Sequence, residues 1–309
     1  MIGDKDKPVI VIGGPTASGK TDFALRLAQH CPIEVISSDS RQVYRQMDIG
    51  TAKVTVEEQS AVRHHLIDII DPDQDVSVAD YAKLAHAAIE DVLSRNKVPV
   101  VVGGTGLYIR AITEGLLDGP DENSQLRAQL LDDESQDQGV LHRRLMDVDP
   151  SMAEVLHCRD LTRIVRALEV YDATGTPFSQ LQKQHGFSEQ RYPTLKFAVS
   201  VDRPILYDRI NQRVHAMVAA GLIDETQRLL AKGYGAELKS MKTIGYRQTV
   251  AHLCDNLPLD EAISWIQRDS RRYAKRQMTW FRKDKSINWV DYNTDFDSIL
   301  AWIDEFLFK

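Results

Sequence analysis

The sequence lacks the features that mark membrane-spanning and disulfide-stabilised proteins. No stretch approaches the roughly 18 consecutive apolar residues of a transmembrane helix, and the amino-terminal segment MIGDKDK is a mixed acidic and basic start rather than a signal peptide. The three cysteines, Cys31, Cys158 and Cys254, lie far apart and form no CxxC pair. We therefore expect no disulfide framework and no zinc site, in a reducing, cytoplasmic setting.

The sequence also lacks an overall excess of positive charge. Judged by net charge alone, this argues against a nucleic-acid partner. The 309 residues carry a formal net charge of −7. The charges are nevertheless segregated: residues 118–138 hold seven acids and one base, Arg127, whereas residues 268–285 hold eight bases and two acids. Such a basic segment can attract a polyanion, and a solvated helix face explains the same charges equally well.

Short apolar segments alternate with helical patterns in the first part of the chain. The segments that predict strands are KPVIVIGG, IEVISSDS, KVPVVVGGTG and, much later, LKFAVSVD. Strands that alternate with helices predict an α/β fold, a three-layer core with a parallel sheet of the P-loop NTPase kind. Ligands of such sheets bind at the carboxyl ends of the strands, where the polar clusters 14–21, 37–42 and 103–106 fall.

A change of pattern near residue 118 predicts an insertion. From there the sequence is polar and helical, with no good strand before residue 195. We predict a first part of the core over residues 1–117, an inserted all-helical lobe over 118–193, and a continuation of the core with basic helices over 194–309. This last part is predicted to be helical after its first strand, with YDRINQRVHAMVAAGLIDETQRLLAKG as one long helix.

A phosphate-binding loop follows the first predicted strand. It consists of Gly14, Pro15, Thr16, Ala17, Ser18, Gly19, Lys20 and Thr21, and it matches G-x4-G-K-[ST] in the required context. Backbone N–H groups and a helix N-terminus attract phosphate, Lys20 adds a full charge, and the Thr21 hydroxyl can hold Mg²⁺. The motif specifies a di- or triphosphate but not a nucleotide.

A carboxylate, Asp39, follows the second predicted strand at the same edge of the sheet. It could organise a metal ion, accept a proton from a nucleophile, or cap the next turn. The third strand ends in GGTG with no acid, where an ATPase would carry a Walker B aspartate. His64 and His65 are adjacent and do not face one way, so we expect structural or surface roles for them.

Eight segments, taken together, resemble a known family. In order, they are GPTASGKT, ISSDSRQVYRQMDIGTAK, HHLIDIIDP, VGGTGLYIRAI, RIVRALEV, LYDRINQRVHAMVAAGLIDE, KTIGYRQ and RRYAKRQMTWFR. This series resembles the bacterial tRNA dimethylallyltransferases, also called tRNA isopentenyltransferases, from residue 8 to about residue 290. The resemblance implies transfer of a dimethylallyl group from dimethylallyl diphosphate to N6 of adenosine 37, with diphosphate as the leaving group. A substrate as large as tRNA also suits a monomer.

The resemblance assigns roles at the reaction centre. Asp39 would be the general base. Lys20, Thr21 and Arg213 would stabilise the diphosphate, with Thr16 among the other phosphate contacts. Mg²⁺ would be held by Thr21, with Asp39 as a possible second ligand.

The resemblance also assigns contacts with the anticodon stem-loop of tRNA. The matching residues are Asp39, Ser40, Arg41, Gln42, Thr105, Arg127, Arg163, Ile164, Val165, Arg166, Ala167, Lys242, Thr243, Ile244, Gly245, Tyr246 and Arg247. The basic segment 268–285 would then clamp the RNA backbone. Two alternatives stay open: an ATP-dependent small-molecule kinase, and an RNA-binding protein switched by a nucleotide.

Overall fold

The core of the chain is a six-stranded parallel sheet. The structure is a computed structural model, and it describes residues 7–117, 119–186 and 191–308. Asp118, where the predicted insertion begins, lies outside these ranges. The spatial order is β3-β2-β4-β1-β5-β6, and every neighbouring pair is parallel. The strands are β1 Val9–Gly13, β2 Ile33–Ser38, β3 His64–His65, β4 Val98–Gly103, β5 Thr194–Val199 and β6 Ile287–Val290. The predicted α/β class is confirmed.

Helices cover both faces of this sheet. The four that precede the insertion are α1 Lys20–Ala28, α2 Val56–Ala61, α3 Val78–Ser94 and α4 Gly106–Thr113. Every residue of β1, β2 and β4 is buried, because alternate side chains of a strand enter opposite layers. Ile10 packs with Phe23 of α1 on one face, whereas Val11 packs with Tyr81 of α3 on the other.

Residues 114–190 form a separate compact unit of helices. Its helices are α5 Ser124–Gln136, α6 Val140–Val148, α7 Pro150–Val155, α8 Leu161–Thr174 and α9 Phe178–His185. The unit has an apolar core of its own, to which Leu141, Leu145 and Ile164 contribute fully buried side chains. Gly175 ends α8 in the left-handed conformation, with a φ of 68°, as its place after the periodic segment indicates.

The rest of the chain departs from the predicted helical pattern at two points. Its helices are α10 Arg203–Ala219, α11 Leu222–Ala231, α12 Tyr246–Cys254, α13 Leu259–Phe281 and α14 Phe296–Phe308. The predicted long helix is two helices, because Gly221 adopts a φ of 99° between them and breaks the helical path. Residues 287–290 are not helical but form β6, an edge strand paired with β5. Four residues are too few to show the alternation of a strand.

No helix in the described part of the chain is both long enough and apolar enough to cross a membrane.

Candidate functional site

The three polar clusters meet at one edge of the sheet, as predicted from their positions after strands. Gly103, the last residue of β4, lies in register with both Gly13 of β1 and Ser38 of β2. A Cβ atom on Gly103 would lie 2.0 Å from the Ser38 carbonyl oxygen, so only glycine permits this approach. Just beyond the strand ends, the Ser40 N–H donates to Thr105 Oγ1 at 3.1 Å. The segments after β2 and β4 are therefore joined directly.

The glycine-rich loop has the backbone of an anion-binding turn. Gly14 and Gly19 have φ angles of 140° and 95°, and Ala17 has a φ of 62°. Such conformations are typical of loops whose backbone N–H groups bind an anion. Helix α1 starts at Lys20 without a side-chain cap at its N-terminus. The N–H groups of its first turn are therefore available to a ligand, and the helix dipole favours an anion there.

Lys20 is a cation in a poorly hydrated place. Its Nζ donates to the Pro15 carbonyl oxygen at 2.8 Å. The pKa of Lys20 is lowered to about 8, mainly by desolvation and in smaller part by the charge of Arg213, against the opposing effect of the Asp39 charge. One carbonyl oxygen replaces little of the lost hydration, so a bound anion would stabilise the charged form.

A cavity of about 1030 Å³ opens at this edge of the sheet. It brings together most of the residues that the sequence assigned to the diphosphate and many of those that it assigned to tRNA. The assigned residues in its wall are Thr16, Ala17, Gly19, Lys20, Thr21, Asp39, Arg41, Gln42, Arg213, Lys242, Thr243, Ile244, Gly245 and Arg247. Gly14, Pro15, Ser18, Ser40, Thr105 and Tyr246 do not line it.

Arg213 reaches the cavity from α10. Burial lowers the pKa of its guanidinium, whereas the charges of Asp39 and Glu58 raise it. Within the described ranges, Arg213 has no salt bridge or hydrogen bond to another side chain. A partly buried guanidinium without a bound partner is suited to receive an anionic ligand.

The segment 242–247 forms another part of the cavity wall. Thr243 Oγ1 is buried and has no hydrogen-bond partner among the described residues, and Arg247 pairs with Asp269 of α13. Tyr246 is fully buried, and its hydroxyl donates to Glu225 at 2.6 Å. Its side chain is therefore part of the framework behind the wall rather than of the surface.

Glu225 is a functional candidate that sequence reasoning missed. Its buried carboxylate accepts hydrogen bonds from the backbone N–H groups of Asp48, Ile49 and Gly50, at 2.9–3.1 Å. It thereby joins the turn at 48–50 to Tyr246 and the segment 242–247. A glutamate in an amphipathic helix is ordinarily solvent-exposed, so no sequence signal pointed to this role.

The inserted unit holds the remaining assigned residues. Ile164, Val165 and Ala167 are buried in its core, so they support the surface rather than form it. The three arginines of this unit that the sequence assigned to tRNA differ in exposure and in their ion-pair partners. Arg163 is largely exposed and pairs with Asp160, whereas Arg127 and Arg166 both donate to Glu169, at 2.9 Å and 2.6 Å. Only 1% of the Glu169 side chain is exposed, so one buried carboxylate fixes both guanidinium groups.

The adjacent histidines His64 and His65 have different surroundings in the structure. His65 Nε2 lies 2.7 Å from the buried carboxylate of Glu34, which also accepts from Arg95 and Lys97. His64 lines the cavity, and burial lowers the pKa of its ring. In residues 7–117, 119–186 and 191–308, no group of three histidine, cysteine or carboxylate side chains is placed to hold a metal ion.

Helix α13 supplies cavity residues that the sequence pointed to only as part of a basic segment. Arg272, Tyr273, Arg276 and Gln277 all line the cavity. Burial raises the pKa of Tyr273, and the negative charge of Asp39 raises it further, so its hydroxyl stays protonated near neutral pH. The helix therefore contributes both cations and neutral hydrogen-bonding groups to the cavity.

Comparison with known proteins gives a consistent match along the chain. The sequence model of the family described as IPP transferase matches residues 42–284. The chain is 51% identical to tRNA dimethylallyltransferase 1 of Syntrophotalea carbinolica, over 99% of its own length and 98% of that protein. It is 49% identical to tRNA dimethylallyltransferase of Geobacter sulfurreducens, over 96% of each.

Two solved structures are similar along almost the whole chain. The tRNA isopentenylpyrophosphate transferase from Bacillus halodurans superposes with a TM-score of 0.72 at 39% identity, over 97% of both chains. A eukaryotic dimethylallyltransferase acting on tRNA gives a TM-score of 0.81 at 27% identity, over 96% of this chain and 79% of that one.

Proposed function

The chain belongs to the IPP transferase family, and on that premise we propose that it transfers a dimethylallyl group from dimethylallyl diphosphate to N6 of adenosine 37 in tRNA. The observation that carries the proposal is the shared cavity of the glycine-rich loop, Asp39 and Arg213. A phosphate cradle alone fits many reactions. A carboxylate beside it, in a wall rich in arginine and lysine, fits a diphosphate leaving group and an RNA acceptor.

The donor half of the reaction is the departure of diphosphate. The allylic C–O bond breaks, and its electron pair stays on the diphosphate oxygen. Lys20, Arg213 and the N–H groups at the start of α1 stabilise the charge that develops there. The N–H groups and Lys20 are held by the fold before a ligand binds, so they need little reorganisation during the reaction.

The residues of the cavity also fit Mg²⁺. This ion is commonly bound by one or two protein oxygens together with substrate phosphates, and Thr21 and Asp39 both line the cavity. When bound, Mg²⁺ would neutralise charge on the diphosphate.

The acceptor half needs a base. The exocyclic amine of adenine is a weak nucleophile, because its lone pair is delocalised into the ring. As N6 forms its bond to the allylic carbon, its proton passes to the Asp39 carboxylate. Proton transfer to a positioned base lowers the barrier for such a nucleophile.

The adenine must leave the anticodon stack to reach this cavity. We assign the RNA contacts to Arg41, Lys242 and Arg247 around the cavity, to the basic face of α13, and to Arg127, Arg163 and Arg166 of the inserted unit. Phosphate contacts of this kind position the RNA, and the cavity selects the base. The proposal includes a monomer that works in the cytoplasm on the anticodon stem-loop.

The test is incubation of the chain with tRNA and labelled dimethylallyl diphosphate, with and without ATP. We expect the label at adenosine 37, without any need for ATP. Phosphorylation that requires ATP would support a kinase instead. RNA binding that responds to a nucleotide, with no label transferred, would support a switch.

A further inference from the structure

Helix α13 lies directly against the floor of the phosphate site. Phe281 covers the end of β1 so closely that a Cβ atom on Gly13 would lie 2.6 Å from its ring. One turn earlier, Gln277 reaches the turn after β4 and the glycine-rich loop, at Gly104 and Thr16. Side chains four residues apart project from one face of a helix. One face of α13 is therefore fitted to the loop that would hold the diphosphate.

The Gln277 amide links two segments that are distant in sequence. Its side chain is buried; Oε1 accepts from the Thr16 N–H at 2.9 Å, and Nε2 donates to the Gly104 carbonyl oxygen at 2.9 Å. The partners fix the orientation of the amide, since a backbone N–H can only donate and a carbonyl can only accept. A Cβ atom on Gly104 would lie 2.1 Å from Nε2, so the glycine makes room for this link.

The same helix carries exposed bases elsewhere on its surface. Arg272 and Lys275 are exposed, and they belong to the segment assigned above to the RNA backbone. Docking of a polyanion on these side chains would restrain α13, and Gln277 is the side chain of α13 that bonds directly to Thr16.

We propose that Gln277 is a positioning residue that holds Thr16 and the diphosphate-binding loop in place from α13. RNA bound to α13 and diphosphate bound to the loop then stabilise the same arrangement, so each ligand tightens the other, as linkage requires. The coupling with RNA rests on the proposed function. The support that Gln277 gives to the loop does not.

The first test compares Gln277→Met with Gln267→Met in the full chain. Gln267 lies on the same helix, outside the cavity wall, and its Nε2 lies within hydrogen-bond distance of Asn211 and His215. Inorganic pyrophosphate is titrated with and without an anticodon stem-loop RNA. Gln277→Met removes both hydrogen bonds, and we expect the pyrophosphate Kd to rise about tenfold because the loop loses its buried support. We also expect the tightening by RNA to disappear, whereas Gln267→Met keeps both properties.

The second test uses Gln277→Glu, which keeps the shape of the side chain. As a carboxylate it accepts from Thr16 but faces the Gly104 carbonyl with no proton to donate. As a carboxylic acid it restores both hydrogen bonds. Its pyrophosphate Kd, divided by that of wild type at the same pH, should therefore fall toward one as the pH drops from about 7.5 to about 5, a range in which a buried glutamate titrates. Dividing by the wild-type value removes the pH dependence that the two proteins share.

The outcomes separate the two proposals. An unchanged pyrophosphate Kd in folded Gln277→Met, or a ratio for Gln277→Glu that does not vary with pH, would overturn the positioning role. If Gln277→Met does not fold, as circular dichroism would show, the Gln277→Glu ratio decides. A wild-type chain that binds pyrophosphate but transfers no dimethylallyl group would refute the proposed function and leave these comparisons standing.

Discussion

The perturbed lysine of the phosphate loop makes the affinity for diphosphate depend on pH. The pKa of Lys20 is about 8 in the ligand-free fold, against 10.5 for an ordinary lysine. A bound diphosphate favours the charged form and raises this pKa again. Above pH 8, binding must therefore take up a proton, and the Kd rises about tenfold for each further pH unit. At pH 9, only about a tenth of the free chains carry the charge.

Calorimetric titration with pyrophosphate measures this directly. The titration is repeated in buffers of different ionisation enthalpy, and the variation of the binding enthalpy between them gives the number of protons taken up. We expect Lys20 to contribute about one proton at pH 9 and almost none at pH 7. Lys20→Arg is the matched control, because a guanidinium keeps its charge over this range. Titration of pyrophosphate itself is common to both proteins. Equal proton uptake in wild type and Lys20→Arg at pH 9 would refute the reasoning.

The same shift has a consequence for the stability of the ligand-free chain. Because the pKa is lower in the folded state than in the unfolded state, the unfolded chain binds more protons between pH 8 and pH 10.5. The contribution of Lys20 is unfavourable below pH 8 and disappears as the pH rises through this window. Lys20→Met should therefore melt at a higher temperature than wild type at pH 7, with a gap that closes toward pH 10.5, although it binds pyrophosphate poorly. A melting temperature below that of wild type at pH 7 would contradict this account.

Three further predictions concern the base, the RNA clamp and the inserted unit. Asp39→Asn should slow single turnover by roughly a hundred- to ten-thousand-fold with smaller changes in substrate affinity; full recovery at high Mg²⁺ would show a metal-organising role instead. Reversing the charges of Arg271, Arg272 and Lys275 should weaken tRNA binding. The slope of log binding constant against log salt concentration should become shallower by about one unit for each RNA phosphate that is no longer neutralised. An unchanged slope would show that these side chains are only solvated. Glu169→Gln should lower the melting temperature of the inserted unit and weaken tRNA binding, because two guanidinium groups lose a buried partner; unchanged tRNA affinity in the folded variant would remove these arginines from the interface.

The sequence is informative where the determinants of structure are contiguous. Buried parallel strands are short β-branched runs, so β1, β2, β4 and β5 were predictable, and the phosphate loop is a single local motif. A change of pattern near residue 118 is also the basis for predicting an insertion. The four-residue strand β6 and the break at Gly221 were not, because each depends on a few residues whose conformation is decided by tertiary packing.

Buried polar residues that support the site could not be predicted. Glu169 and Glu225 lie on helices in which a charged residue ordinarily faces solvent, and only the folded chain shows that they are buried. Gln277 bonds to Thr16 across 261 positions of sequence. No periodicity or spacing carries such information, whereas the residues proposed to face the ligand belong to recognisable motifs. Sequence therefore pointed to the groups that would touch substrate and missed the groups that hold them.

The turn after β4 explains how a phosphate loop can serve a reaction without a phosphoryl donor. A nucleotide hydrolase of this fold would place an acidic side chain there, and this chain has Gly103, Gly104, Thr105 and Gly106. A Cβ atom on Gly104 would meet Gln277, and one on Gly106 would lie 2.0 Å from Trp280 Nε1. The space that an aspartate would need is thus occupied by α13. That helix also carries exposed bases, so the element that fills the space of the missing acid is also the one proposed to meet the polyanionic acceptor.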